Sequence, residues 1–149
     1  MISLQREELE KYYVGELMIP SEIVAHVQGG NPLEHALLVL VKSGYSAVPV
    51  LDAKYRLQGT ISKTIIIENM LGVEQFELDK LSSVRVEEVM NTDIPCLKKE
   101  DSFSKALGEV VNHPFVCVAD ENGYFDGILT RRAILKPLNK HFHTYNNKM

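Results

Sequence analysis

The feature that most constrains this chain is that it repeats itself, because the fold assignment rests on noticing such a repeat. Val14-Gly15-Glu16-Leu17-Met18 resembles Val86-Glu87-Glu88-Val89-Met90, 72 residues later. Leu33, Ala36, Leu37, Leu40 and Val41 share the i, i+3, i+4, i+7, i+8 spacing of Phe103, Ala106, Leu107, Val110 and Val111, at an offset of 70. Ala47-Val48-Pro49-Val50-Leu51-Asp52 matches Phe115-Val116-Cys117-Val118-Ala119-Asp120, and Gly59-Thr60-Ile61-Ser62 matches Gly127-Ile128-Leu129-Thr130, both at an offset of 68. Four coincidences in one order, with two short deletions between them, describe a duplicated unit.

Each copy reads as β-α-β-β-α. In the first, a short strand at 23–27 precedes Gly29-Gly30, and Asn31-Pro32-Leu33-Glu34 carries cap, first-turn proline and acidic residue for a helix that closes on Gly44. Strands at 47–51 and 57–62 flank a turn at Asp52, and a helix comes next from Lys63. The second copy has a strand around Cys96, a helix expected to be capped by Asp101, strands at 115–118 and 124–130, and a helix from Arg131. The expected organisation is an N-terminal amphipathic helix within 1–13 (Leu4, Leu9, Tyr12 and Tyr13 as its apolar side), motif 1 at 14–72, a connector at 73–85, motif 2 at 86–138 and a polar, disordered tail at 139–149. A unit of about 55 residues is marginal alone, so the two are expected to share one module.

Composition narrows the functions. With 45% hydrophobic and 24% charged residues the chain reads as an ordinary globular protein. Sixteen Lys and Arg against 20 Asp and Glu, a net charge of −4, disfavour a nucleic-acid platform but leave room for a small phosphorylated ligand. No apolar run approaches membrane-spanning length, and the first residues lack a cationic, apolar leader, so a cytoplasmic location is expected. Cys96 and Cys117 lack CxxC spacing and are expected as two buried thiols. GxSxG, Walker, HExxH and GxGxxG motifs are absent, and the HxH at His141 and His143 lacks further ligands, so neither an enzyme nor a metal site nor a cofactor is expected.

The pattern of V-x-E-x-M, capped helix, apolar strand, Asp turn and G-φ-φ-[S/T], twice over, resembles the CBS domain, and the pair resembles a Bateman module, an α/β (α+β) fold. With its N-terminal helix and the Thr130-Arg131-Arg132 segment, the chain is similar to the stand-alone CBS-pair proteins of Gram-positive bacteria that bind cyclic di-AMP. That resemblance implies a non-catalytic, homodimeric signal transducer. It would bind a target enzyme, a (p)ppGpp synthetase or pyruvate carboxylase, and release it when nucleotide fills the cleft.

The implied ligand residues are Ile23, Ala25, Val27, Tyr45, Ser46, Ala47 and Pro49 from the first repeat with Thr130, Arg131 and Arg132 from the second. Family practice places adenine against the strands of the first group. Thr130 and two guanidinia at a helix start suit phosphate. The structural alternatives are plain strand packing for Ala25 and Val27, a loop aromatic for Tyr45, and a solvated arginine pair. Many nucleotide-binding CBS units grip ribose with an Asp three residues after the Ser or Thr; here Ile65 and Ala133 stand there. That departure favours a ligand held through phosphates and bases over an AMP, ADP or ATP gauge, while a ligand-independent scaffold is the remaining alternative. The mirror set, Ser62, Lys63 and Thr64 with Ile94–Leu97 and His113–Phe115, is bulkier and less cationic, so one occupied site per chain is expected.

Overall fold

The computed structural model describes residues 7–147, with the side chains of 145–147 left aside. It divides into two compact units: a continuous one, Ala25–Ile94, and a discontinuous one made of the chain up to Val24 and from Pro95 onward. The repeats therefore exchange their opening segments. Residues 14–24 of the first copy fold with the second, and residues 86–94 of the second fold with the first.

In the continuous unit, β2 (Val27–Gln28) runs parallel to β3 (Ala47–Leu51), which pairs antiparallel with β4 (Leu57–Ser62). Helices α2 (Leu33–Ser43) and α3 (Lys63–Met70) supply Leu33, Leu40, Ile66 and Met70 to a core shared with Val48, Val50 and Ile61. The connector contributes a short helix, α4 (Lys80–Ser83). In the discontinuous unit the sheet order is β1-β7-β6-β5, with β1 (Ile19–Pro20), β5 (Cys96–Leu97), β6 (Phe115–Ala119) and β7 (Phe125–Thr130). Helices α6 (Phe103–Val110) and α7 (Arg131–Asn147) cover its core of Leu97, Phe103, Val116, Val118, Leu129 and Ile134.

The V-x-E-x-M motif explains the exchange. It forms the single-turn helices α1 (Val14–Leu17) and α5 (Val86–Val89). Val14 and Val86 are both fully buried, each in the core of the opposite repeat. Val14 N–H donates to the Asp101 carbonyl (3.0 Å) and Val86 N–H to that of Asn31 (2.9 Å). The motif glutamate reaches back as a cap: Glu88 accepts from Arg85 N–H (2.6 Å), Glu16 from Tyr13 N–H (3.4 Å). Met18 and Met90 pack on those same cores. The matched glycines make room for the backbone just beyond each motif. A β-carbon at Gly59 would collide with the Asn91 carbonyl oxygen, and one at Gly127 with that of Ile19.

Several expectations need correction. Ile23 lies in a 3-10 turn, Ser21–Ile23, closed by Val24 N–H to Ser21 O (3.2 Å), and only Val27 and Gln28 find a partner strand. Helix α2 is entered at Pro32 rather than capped by Asn31, whose carbonyl is taken by Val86. Ser102, not Asp101, caps α6 by accepting Lys105 N–H (3.2 Å); Asp101 instead accepts Lys98 N–H (2.8 Å). The segment expected as a disordered tail continues α7 to Asn147, through Pro137, with Leu138 packed on the core and His141 Nδ1 3.0 Å from a Glu8 oxygen. Cys96 is exposed; burial holds for Cys117 alone. Residues 7–9 are helical, Leu9 and Tyr12 lie against the core, and Leu4 falls outside the described residues. Among the described residues no helix is long and apolar enough to cross a membrane.

Candidate functional site

The strand-to-helix junctions at Ser62 and Thr130 share one construction. Each hydroxyl oxygen accepts the N–H three residues on, Ile65 and Ala133, both at 3.1 Å. The first helical N–H of α3 donates to Ser46 O (3.1 Å) and that of α7 to Pro114 O (2.8 Å). The Thr130 hydroxyl still carries a proton it can donate, beside the positive end of a long helix.

The arginine pair divides its labour. Arg131 turns its Nε to the Val110 carbonyl (2.8 Å) and its Nη2 to that of Val111 (3.4 Å), closing the end of α6. A cation there meets both orphan carbonyls and the negative end of the helix dipole. Arg132 is exposed. It lines a cleft of about 680 Å³ in the discontinuous unit with Thr130, Lys136, Lys140, Tyr12 and Glu16. Arg132, Lys136 and Lys140 stand four residues apart on one helix face, three cations opposite the single carboxylate of Glu16. Tyr12, Lys136 and Lys140 escaped the sequence reading, although the spacing of the three cations was there to be read. Arg132 also borders a second, more apolar hollow of about 860 Å³ with Leu135, Leu138 and Phe142.

The remaining candidates are scattered more widely. Ile23 is 73% exposed, in the turn that packs against β7. In the continuous unit, Val27 is buried in the core, so only its backbone can face a ligand; β2 is an edge strand, which suits that use. Ala25 is half-buried against the same core, Tyr45 is exposed, and Ser46 is exposed with its carbonyl engaged. Ala47 is half-buried and Pro49 buried opposite Thr60. Proline is tolerated in this central strand because the ladder to β2 engages only Val50 and Leu51. Ile65 and Ala133 bring no side-chain acceptor to either junction. Among the described residues no group of three or more His, Cys, Asp or Glu is placed to hold a metal.

Two β-α-β-β-α units, each closed by a hydroxyl-capped strand-to-helix junction, define a duplicated α/β module. The CBS-domain family model matches residues 14–72 and 86–140, and the chain belongs to that family as a tandem pair. It is 52% identical over 146 residues to the cyclic di-AMP receptor B of Bacillus subtilis, covering 98% of this chain and 99% of that one. Among solved structures it is similar to a CBS domain-containing protein of Bacillus anthracis (60% identity, TM-score 0.85, 91% and 98% of the two chains). It is also similar to the CbpB protein of Listeria monocytogenes in complex with c-di-AMP (46% identity, TM-score 0.82, 88% and 98%).

Proposed function

We propose that this protein is a non-catalytic cytoplasmic receptor for cyclic di-AMP. The observation that carries the reading is the Thr130–Arg132 junction: a hydroxyl, a helix N-terminus and an uncommitted guanidinium meet in a cationic cleft, in a chain akin over nearly its whole length to a protein named for that ligand. Arg132 and Thr130 hold phosphate, and Arg131 positions the junction while its side chain secures α6. Ile23, Ala25, Val27, Tyr45, Ser46, Ala47 and Pro49 serve base and ribose, chiefly through backbone at Val27 and ring stacking at Tyr45. The missing ribose carboxylate at Ala133 favours the cyclic dinucleotide over AMP, ADP or ATP.

A charge-assisted bond is worth about 1.5–3 kcal/mol, and micromolar affinity needs about 8 kcal/mol in all. Arg132→Ala should therefore weaken cyclic di-AMP binding roughly 10- to 100-fold and leave the thermal midpoint unchanged. Titration calorimetry of both proteins, with AMP and ATP as comparators, tests this. Unchanged affinity in the variant removes Arg132 from the site, and preference for ATP replaces the messenger with an energy signal. The protein acts as a homodimer on a target enzyme, a (p)ppGpp synthetase or pyruvate carboxylase. If ligand and target compete, each lowers the other's affinity by one factor, which co-purification with and without nucleotide measures.

A further inference from the structure

The two cysteines, separate in sequence, are registered partners. Cys96 on β5 stands opposite Cys117 on the parallel neighbour β6, and Leu97 stands opposite Val118. Leu97 and Val118 both point into the core, so the alternation of a strand turns both thiols to the other face of the sheet. Adjacent strands lie about 4.8 Å apart, inside the Cα window of roughly 4.4–6.8 Å that a disulfide spans. Cys96 is exposed and Cys117 buried, and both are free thiols. The fold does not demand sulfur here: by the repeat's offsets, His26 and Pro49 hold the equivalent places in the continuous unit.

We propose that Cys96 and Cys117 form a peroxide-responsive thiol pair, with Cys96 the attacking and Cys117 the resolving residue. The Cys96 sulfur, as thiolate, attacks one peroxide oxygen. The O–O bond breaks, hydroxide leaves and takes up a proton as water, and Cys96 becomes a sulfenic acid. The Cys117 sulfur then attacks the Cys96 sulfur and expels the hydroxyl, which carries off the Cys117 proton as a second water. Two thiols are oxidised, one peroxide is reduced, and a covalent bond joins β5 to β6. The order of events is set by access. Burial raises both thiols, Cys117 to about 12. For Cys96, burial and the carboxylates of Asp101 and Asp126 raise it, while the Ala119 N–H and Lys98 oppose them. Ionisation favours neither thiol, so Cys96 attacks because it is the one that peroxide can reach.

The test uses the full chain treated with hydrogen peroxide, then unfolded and blocked with a maleimide. Intact mass and peptide mapping should show a monomer lighter by two hydrogen atoms, carrying no maleimide and restored by a dithiol reductant. Cys117→Ala should accumulate a Cys96 sulfenic acid trapped by dimedone, and Cys96→Ser should leave Cys117 reduced. Wild-type protein that still takes two maleimides, that carries a sulfinic acid at Cys96 beside reduced Cys117, or that links only between chains overturns the proposal. The wild-type measurement decides even where the Cys117 variant fails to fold, and it does not depend on the identity of the nucleotide.

Discussion

In the continuous unit, α2 ends on Gly44, whose left-handed backbone (φ 78°) returns its N–H to Leu40 O at 3.0 Å. In the discontinuous unit the matching helix, α6, ends on Val111 in the right-handed region instead of on a left-handed glycine, and its last carbonyls are held by the Arg131 guanidinium. One copy meets the orphan carbonyls with backbone and the other with a side chain borrowed from the next helix. The difference shows why two adjacent arginines are not equivalent: the helix end that lacks a glycine commits Arg131, and Arg132 alone stays available.

The largest effect expected from breaking this symmetry is at the matched glycines. Both face a carbonyl oxygen that a β-carbon would strike, but only Gly127 also has a positive φ, 157°. Gly59→Ala should cost about 1–3 kcal/mol through overpacking, and Gly127→Ala about 1 kcal/mol more, because alanine is strained there. Urea denaturation of the two variants measures the difference. Equal losses would mean that the collision alone matters.

Arg131→Ala comes next. Removing a charged donor from two carbonyls should cost about 1.5–3 kcal/mol, whereas Lys63→Ala, at the matching position where Gly44 already closes the helix, should fall within about 0.5 kcal/mol. A thermal melt of each settles it. If Arg131→Ala melts with the wild type yet loses nucleotide affinity, the capping role is wrong and the two arginines act alike.

Much of this was legible before any coordinates. Repeat offsets, apolar periodicity and the hydroxyl before each final helix placed the two hairpins, the main helices and both junctions, because those signals are local. What escaped depends on distant partners. Val14 and Val86 read only as matched positions of a repeated motif, and nothing around either says which core receives it. Arg131 reads as a phosphate ligand until the Val110 and Val111 carbonyls are seen beside it. The segment from Asn139 reads as a polar tail, since Leu138 and His141 reveal their contacts only once α7 lies on its unit. Cys96 and Cys117 share a register that only β5–β6 pairing discloses.

The smallest effect concerns the hairpin turns, where the copies again solve one problem differently. The left-handed position is Gly123 (φ 86°) in one turn and Tyr55 (φ 70°) in the other. Asp120 serves its turn through the N–H groups of Asn122 and Tyr124, both at 2.9 Å. Asp52 accepts from Lys54 N–H and Arg56 N–H, both at 2.9 Å, and also from Arg56 Nε at 2.8 Å. The tyrosine turn thus carries an additional ionic bond where it lacks the glycine. These bonds, the Arg56 N–H foremost, hold the Asp52 carboxyl below the usual value of 3.8 against the opposing effect of desolvation. A depressed folded value means that the ionised carboxylate stabilises the turn above the ordinary carboxylate range, and that this contribution is lost as pH falls through the folded value. Acidification below about pH 4 should therefore loosen residues 52–56. A carboxyl-carbon NMR titration should find Asp52 below 3.8, shifted upward in Arg56→Ala; a value at or above 3.8 in the wild type would leave the strained Tyr55 backbone without its anchor.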